Sequence, residues 1–595
     1  MQKYSKLKFL ILFMFPLLLL SCSGSENNRT VKNVISDIVT KLYETKTQDE
    51  LQNLTTEDIL KVTTDADLNV LASKYWIFNV NVPVNVYVIR DVTQKIVPFW
   101  IEKSGFKNTG LTVKNEHYTY DVWKKEFPIG KVELGINGFD DHRPTYFVSV
   151  STVNKNDILE LSNFFPENQY VGTTDIGAFT YHDWTELVLT EVPEELMGGK
   201  VLPTIRGRAG ESGLIGAFRK TPYPSSNKPD QILLTWNNDP KTTQSIQWRT
   251  SIDNKKGVVR YWTKGGDKNK YKEIDALANV MEDVLLKNDR YINRFTARLE
   301  NLKPGTTSNY IVGNPETNIW SDTAEFKTEP AGKEAFSFVY LGDTDNSPHF
   351  GELINMAYKR CPETAFYTIG GDLVNSGLNR DDWDKEFEYS SNVIKNRPLM
   401  TVPGNHDGAN GLGPLMYAEM FDFPVNGPEN IPAEYSYSFE YGDAFFLMLS
   451  NTESTKKQSA WIEKQLKNNT SKWKFAMFHF PPYSYEEDYP EIRKEWGSLF
   501  DKYHVDMAFS GHVHYYMRSK PMYAEKPVET PAEGTIYIIS IAIPNADKEM
   551  PDTNFVQKRF GGEHLYLKLD IDGNELTLNA YNSEGELMDS FKINK

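Results

Sequence analysis

The run Phe336-Ser337-Phe338-Val339-Tyr340-Leu341-Gly342-Asp343-Thr344-Asp345 decides how this chain is read. A mostly apolar stretch of strand-forming residues, then a glycine and two carboxylates, describes a buried strand that presents acids where it ends. The same arrangement recurs downstream. Ala365 to Ile369 leads into Gly370-Gly371-Asp372, Arg397 to Val402 into Gly404-Asn405-His406-Asp407, Trp473 to Phe478 into His479-Phe480-Pro481-Pro482, and Val505 to Phe509 into Gly511-His512-Val513-His514. Helical spacing in Glu352 to Lys359 and Trp383 to Lys395 separates the first of these strands. A strand-helix-strand-helix-strand order implies an α/β layered fold, and such sheets take their ligands at the strand ends.

The side chains gathered by this reading are Asp343, Asp372, Asn405, His479, His512 and His514, with Asp345, Asn375 and His406 close by. Carboxylate and amide oxygens mixed with imidazole nitrogens suit Zn, Mn or Fe, whereas an all-oxygen set points to Mg or Ca. Two cysteines in the whole chain exclude a thiolate zinc site. A lone Gly-Asp after a strand is ordinarily a turn. GNHD and GHVH say more, because alternation along a strand points His512 and His514 to one side, where imidazoles without a ligand are costly to bury. The joint occurrence describes a two-metal site. Two cations about 3.5–4 Å apart activate a water and clamp a phosphoryl group for in-line attack, and a neighbouring imidazole can protonate the leaving oxygen.

This set resembles the calcineurin-like metallophosphoesterase superfamily, and Gly511-His512-Val513-His514-Tyr515-Tyr516-Met517-Arg518 is similar to the corresponding run of purple acid phosphatases. Carried over by position, the resemblance implies that Asp343 and His514 hold one metal, that Asn405, His479 and His512 hold the other, and that Asp372 bridges them. His406 then lies near the leaving group as a proton or hydrogen-bond donor. The cofactor implied is a pair of divalent or trivalent ions, Fe, Zn or Mn. Purple acid phosphatases place a tyrosine, whose phenolate binds ferric iron, three residues after the bridging aspartate; here that place holds Asn375. A colourless protein with less reason to hold Fe(III) is expected. The first motif reads Asp343-Thr344-Asp345 in place of Asp-x-Gly or Asp-x-His, and Asp345 is open to two readings, an oxygen ligand or a turn carboxylate. Tyr483, Tyr485, Tyr515, Tyr516 and Arg518 are candidate pocket walls, with Tyr483 and Arg518 taken as substrate contacts. Hydrolysis of phosphomonoesters is the expected reaction. A phosphodiesterase or nucleotidase is the alternative within the same chemistry, and a surface binding protein on a phosphatase-like scaffold is the alternative outside it.

At the other end of the chain, Lys3, Lys6 and Lys8 precede the apolar run Phe9 to Leu20, which is shorter than the ~20 residues a membrane-crossing helix needs. It ends in Leu19-Leu20-Ser21-Cys22, which resembles a bacterial lipobox with cleavage before Cys22 and lipidation of its thiol; an ordinary secretory signal with a chance cysteine is the other reading. Residues 1–21 are then a signal peptide and 22–33 a polar tether. The place is the bacterial cell envelope, periplasmic or cell-surface, with the membrane met through the lipid. Lipidation leaves Cys361 alone, without a disulfide partner.

Between these ends, residues 34–200 show helical spacing up to about 75 and then period-two alternation, as in Thr145 to Ser151. They form an N-terminal α+β or β-rich domain of unassigned role. Residues 225–330 carry short alternating strands at sandwich spacing. Trp236, Trp248, Pro304-Gly305 and Tyr310 there resemble the fibronectin type III-like domain that precedes the catalytic domain in purple acid phosphatases. Residues 335–595 complete a multi-domain chain of 595 residues, 39% hydrophobic and 13% aromatic. Its formal charge of −16 is not that of a nucleic-acid binder; a small phosphate ester is the partner expected.

Overall fold

Strand Phe336–Leu341 lies inside a sheet ordered Leu399–Thr401, Phe366–Ile369, Phe336–Leu341, Leu565–Asp572, Glu575–Asn582, Leu587–Asn594. The first three run parallel and the rest pair antiparallel. The computed structural model describes residues 29–595, apart from 141, 143, 168, 183–186, 206, 409–415 and 548–549; Cys22 and the leader lie outside the described residues. A second sheet faces the first, in the order Tyr437–Tyr441, Ala444–Met448, Trp473–Met477, Met507–Ser510, Ile536–Ile539, Tyr516–Ser519, Val556–Phe560. Its four central strands are parallel.

The strands are apolar on both faces because each sheet is covered on both sides. Between the sheets, Phe338 meets Phe366, Phe446 and Phe475 at centroid distances of 5.3, 5.2 and 5.5 Å. Outside the first sheet lie helices Pro348–Arg360 and Arg380–Ile394, anchored by Phe350, Leu353, Trp383 and Phe387. Outside the second lie Thr455–Asn468 and Ser498–Tyr503, anchored by Ile462, Leu466 and Phe500. The result is an α/β/β/α sandwich. The two sheets are stitched at one edge, where Asp343 bridges Ile541 and its carbonyl accepts the Ala542 N–H at 3.0 Å. Gly342 makes this approach feasible, since a Cβ there would collide with the Ser540 carbonyl.

Before this domain stands an all-β sandwich. One sheet is ordered Asp230–Thr235, Gln244–Ser251, Tyr291–Leu299, Leu277–Glu282, and the other is built around Val258–Thr263 and Thr307–Asn314. Trp248 stacks on Phe295 in its core, where Tyr310 is also buried. Trp236, expected in the same core, packs instead on Phe366 and Tyr441 of the C-terminal domain. Its strand ends at Thr235, so the alternation that would turn it inward no longer holds. Ion pairs, buried at Arg249 and Arg380 and half-exposed at Arg298, fasten the two domains. Arg249 grips Asp230 with two nitrogens and reaches Asp384 at 2.7 Å, Arg380 meets Asp289 at 2.8 Å, and Arg298 meets Asp422 at 2.6 Å.

The N-terminal domain opens with helices Val31–Thr45, Gln48–Gln52, Thr56–Val62 and Asp65–Ser73. Each begins at a threonine whose hydroxyl caps the helix while an Asn, Glu or Asp three residues on reaches back, the capping box. Strands follow, in a sheet whose centre is Lys107–Asn115, Thr119–Phe127, Val84–Asp91 and Phe147–Thr152, with a smaller sheet around Trp76–Val80. The domain is therefore α+β. It runs past residue 200, because Leu214 and Phe218 belong to its core. Arg219 then ties it to both neighbours, bridging Leu286 and pairing with Asp283 and Asp381. Among the described residues, no helix is long and apolar enough to cross a membrane.

Candidate metal centre

The five strand ends reach one edge of the double sheet, and their side chains touch there. Asp343 follows Phe336–Leu341 and is fully buried. Its Oδ1 accepts the His512 N–H at 2.8 Å, and its Oδ2 accepts no hydrogen bond and faces His514 Nε2 at 3.5 Å. Asp372 follows Phe366–Ile369 with Oδ1 on the His406 N–H at 2.8 Å and Oδ2 at 3.0 Å from His479 Nε2. Asn405 Oδ1 is 2.9 Å from the same nitrogen. His479 follows Trp473–Met477 and is itself buried, with Nδ1 at 3.1 Å from the Gly370 carbonyl and 4.0 Å from Asp343. Donor atoms of Asp372, His479 and His512 lie within 4.8 Å of one another.

Backbone geometry is adjusted to bring these groups in. Asp372 and His512 both hold left-handed backbone, at φ 50° and 71°, a conformation non-glycine residues adopt at a cost and that concentrates at functional sites. GHVH was expected to continue a strand, with alternation aligning its histidines. Instead Met507–Ser510 stops before it and the next strand starts at Tyr516. The turn at His512 delivers its backbone N–H and the His514 ring to the same carboxylate. Gly404 and Gly511 leave room for the acids, since a Cβ on either would strike the carboxylate of Asp372 or Asp343.

Two further residues fix the loops. Asp407 accepts the N–H groups of Leu373 and Val374 with Oδ1, at 2.8 and 3.2 Å, and that of Gly404 with Oδ2 at 2.9 Å, so one buried carboxylate locks the Asp372 loop to the Asn405 loop. Asn451 Oδ1 accepts the N–H groups of His479 and Phe480, both at 3.1 Å. Asp407 was visible only as part of GNHD. Asn451 had no signal beyond a polar residue after a buried strand.

The electrostatics fit a cation. The Gly370 carbonyl can only accept, so His479 Nδ1 carries hydrogen and Nε2 faces two oxygens. Burial works against charge on this ring, but Asp372 and Asp343 outweigh it and push it up to about 9. In other words, a proton is held where a metal ion would sit. Burial first, then the charges of Asp372 and Asp343, push Asp345 up to about 7. The mixed oxygen and imidazole set, the Asp343 oxygen that accepts no hydrogen bond and the space left by two glycines all fit a metal pair.

Other expected site residues have different tasks. Asn375 uses its amide N–H on the Asp345 carbonyl and the Asn346 side chain, at 2.9 and 3.0 Å, and its own carbonyl faces His406 Nδ1 at 2.9 Å. It braces the loops around Asp345 and His406. Arg518, expected on phosphate, is spent on Asp589 at 2.7 and 3.1 Å and lies over Phe591. Strand Tyr516–Ser519 directs it to the last strand of the chain, where Asp589 neutralises it. Tyr483, the other expected substrate contact, is buried against Tyr537 and Phe555 with Arg493 over its ring. One polar contact was not foreseen: Glu487, whose Oε2 is 3.1 Å from His512 Nε2.

Known proteins share this organisation. Residues 229–328 match the family described as purple acid phosphatase, N-terminal domain, and residues 336–516 match the calcineurin-like phosphoesterase family. An uncharacterized protein of Mycobacterium tuberculosis is 29% identical over 271 residues, covering 38% of this chain and 50% of that protein. Purple acid phosphatase 23 of Arabidopsis thaliana is 26% identical over 263 residues, covering 38% and 57%. The chain spans about half the length of these relatives. Purple acid phosphatase PPD1 from yellow lupin seeds superposes with a TM-score of 0.54 at 17% identity, over 80% of this chain and 82% of that one.

Proposed function

We propose, from the match of residues 336–516 to the calcineurin-like phosphoesterase family, that the protein is a dinuclear metal-dependent hydrolase of phosphomonoesters working outside the cytoplasm. The observation that carries the reading is the placement of His479 Nε2 against Asp372 Oδ2 and Asn405 Oδ1, at 3.0 and 2.9 Å in a buried site. Such a nest of lone pairs has little use except to hold a cation.

In this reading Asp343 and His514 would hold one ion, Asn405, His479 and His512 would hold the other, and Asp372 would serve both. When bound, the two ions supply a nucleophilic water of lowered pKa and neutralise charge developing on the phosphoryl group. The protein's own part is positional and protonic. The Asn375 carbonyl accepts from His406 Nδ1, which fixes the ring and leaves Nε2 as the atom that, in the imidazolium form, can hand its proton to the departing alkoxide. Asp345 adds a carboxylate beside Asp343, and no phenolate stands at position 375, which supports a colourless centre of Zn or Mn or one poor in Fe(III). Relatives named as phosphatases support the monoester preference. The leader ending at Cys22 supports a lipid-anchored protein of the bacterial envelope.

Purified protein assayed on p-nitrophenyl phosphate and on bis(p-nitrophenyl) phosphate, before and after chelation, tests the activity. Chelator-sensitive turnover that favours the monoester and returns with added Zn, Mn or Fe is expected. Absence of metal-dependent turnover on both esters would sink the enzyme reading, and turnover on the diester alone would sink the monoester preference. Cys22→Ala should move the protein from the membrane fraction to the soluble one; an unchanged membrane share argues against the lipid anchor.

A further inference from the structure

We propose that Glu487 is a positioning residue that fixes the His512 ring in the tautomer offering Nδ1 to a metal ion. The inference rests on the metal-centre reading above and goes beyond it, naming the atom through which His512 binds and the group that decides it. Glu487 Oε2 lies 3.1 Å from His512 Nε2, with the two side chains 24% and 10% exposed. A carboxylate only accepts, so Nε2 carries the hydrogen and the lone pair resides on Nδ1. His479 is oriented the opposite way, because the Gly370 carbonyl claims its Nδ1 and leaves Nε2 for the ion. Two imidazoles of one centre therefore present different nitrogens, each set by the acceptor behind it.

The loop that carries Glu487 is built to hold it there. Ser484 Oγ accepts the N–H groups of Glu486 and Glu487 at 3.1 and 3.3 Å, and Arg493 clamps the loop by bonding the Pro482 carbonyl at 2.6 Å and Asp488 at 2.7 Å. The Tyr489 hydroxyl donates to the same oxygen of Glu487 that faces His512. Phe480, edge-on to the His512 ring at 4.7 Å, stacks with Tyr489 at 5.3 Å and closes the ring between apolar walls. The imidazole is thus confined by packing and its tautomer is selected by one carboxylate.

The test follows zinc release from the full-length, zinc-loaded protein under chelator, for the parent, Glu487→Ala, Glu487→Gln and Tyr489→Phe, with a thermal melt of each. Glu487→Ala should lose one of its two ions about 10–100-fold more readily than the parent, the range for outer partners of metal ligands. The other ion should be released at the parent rate. Glu487→Gln should restore most of the retention, since an amide oxygen still accepts from Nε2–H, and Tyr489→Phe should loosen the same ion by a smaller factor. Parent-like release from Glu487→Ala overturns the inference. So does equal loss of both ions with a lowered melting temperature, which marks a role in folding alone. Should Glu487→Ala not fold, Tyr489→Phe decides: faster loss of one ion supports the assignment, and parent-like release overturns it. A parent that binds no zinc, manganese or iron overturns the functional reading itself.

Discussion

Two places in this protein bury several charged side chains, and they are organised on opposite principles. At the junction of the sandwich with the C-terminal domain, three guanidinium groups meet carboxylates, while a fourth, Arg294, bonds the Met420 carbonyl. Arg249 holds Asp230 and Asp384, Arg380 holds Asp289, Arg298 holds Asp422, and Gln231 and Thr221 complete the bonding of Asp384. At the strand ends of the C-terminal domain, acids and imidazoles face one another, among the described residues no Arg or Lys bonds Asp343 or Asp372, and Asp343 Oδ2 is left without a hydrogen bond. The first cluster sets its acids against guanidinium groups of the protein itself and behaves as a fastener. The second is complete only with added positive charge, which is the mark of a site rather than a brace.

The strongest way to break this contrast is to neutralise one acid in each cluster. Asp372→Asn removes the carboxylate shared by His479 and the His406 N–H. Turnover of a phosphomonoester should fall by more than the ~100-fold that loss of an outer partner costs, with metal content reduced and the melting temperature close to the parent's. Asp384→Ala takes the shared carboxylate from Arg249 and Arg380, which keep Asp230 and Asp289, and leaves the Gln231 and Thr221 donors without their acceptor, so it should cost about 1–3 kcal/mol of stability while the folded fraction still binds its full complement of metal. Denaturant melts and metal analysis on both variants decide the matter. If Asp372→Asn unfolds the chain while Asp384→Ala strips its metal, the two clusters have been assigned the wrong way round.

How far such a contrast is legible in sequence depends on whether a residue acts through its own local pattern. Asp343, Asp372, Asn405, His479 and the GHVH pair announce themselves because each ends an apolar run of strand length, and strand ends in layered α/β folds share an edge. The four helix starts at Thr30, Thr47, Thr55 and Thr64 are local in the same sense. Partners chosen by tertiary approach leave no such trace. Arg518 follows GHVH and invites a phosphate, yet its guanidinium is neutralised by Asp589, 71 residues away. Trp236 reads as a sandwich tryptophan until its strand stops one residue short. Glu487 sits in Tyr485-Glu486-Glu487-Asp488-Tyr489, which reads as a solvated acidic loop, and only the fold lays it on His512. The N-terminal sheet is similar: alternation marks its strands, but which strand pairs with which depends on long-range closure that no window contains.

The junction also holds an acid outside this pairing, and it gives the smallest and sharpest test. Glu434 lies beside Asp422, whose charge is already matched by Arg298 at 2.6 Å and by the Ser245 hydroxyl at 2.6 Å, and Glu434 Oε2 has no hydrogen-bond partner. Burial, and then the Asp422 charge, push its carboxyl up to about 7. A carboxyl whose pKa is higher folded than unfolded favours the folded state while protonated. That contribution is whole below the unfolded value near 4.5 and is lost as pH rises towards 7. Glu434→Gln should therefore leave stability at pH 4 unchanged and raise it at pH 8 by about 1–2 kcal/mol, read as a change in denaturant midpoint between the two pH values. An equal effect at both would show that Glu434 matters for its shape and not its charge, and would remove this acid from the exceptions on the junction side of the contrast.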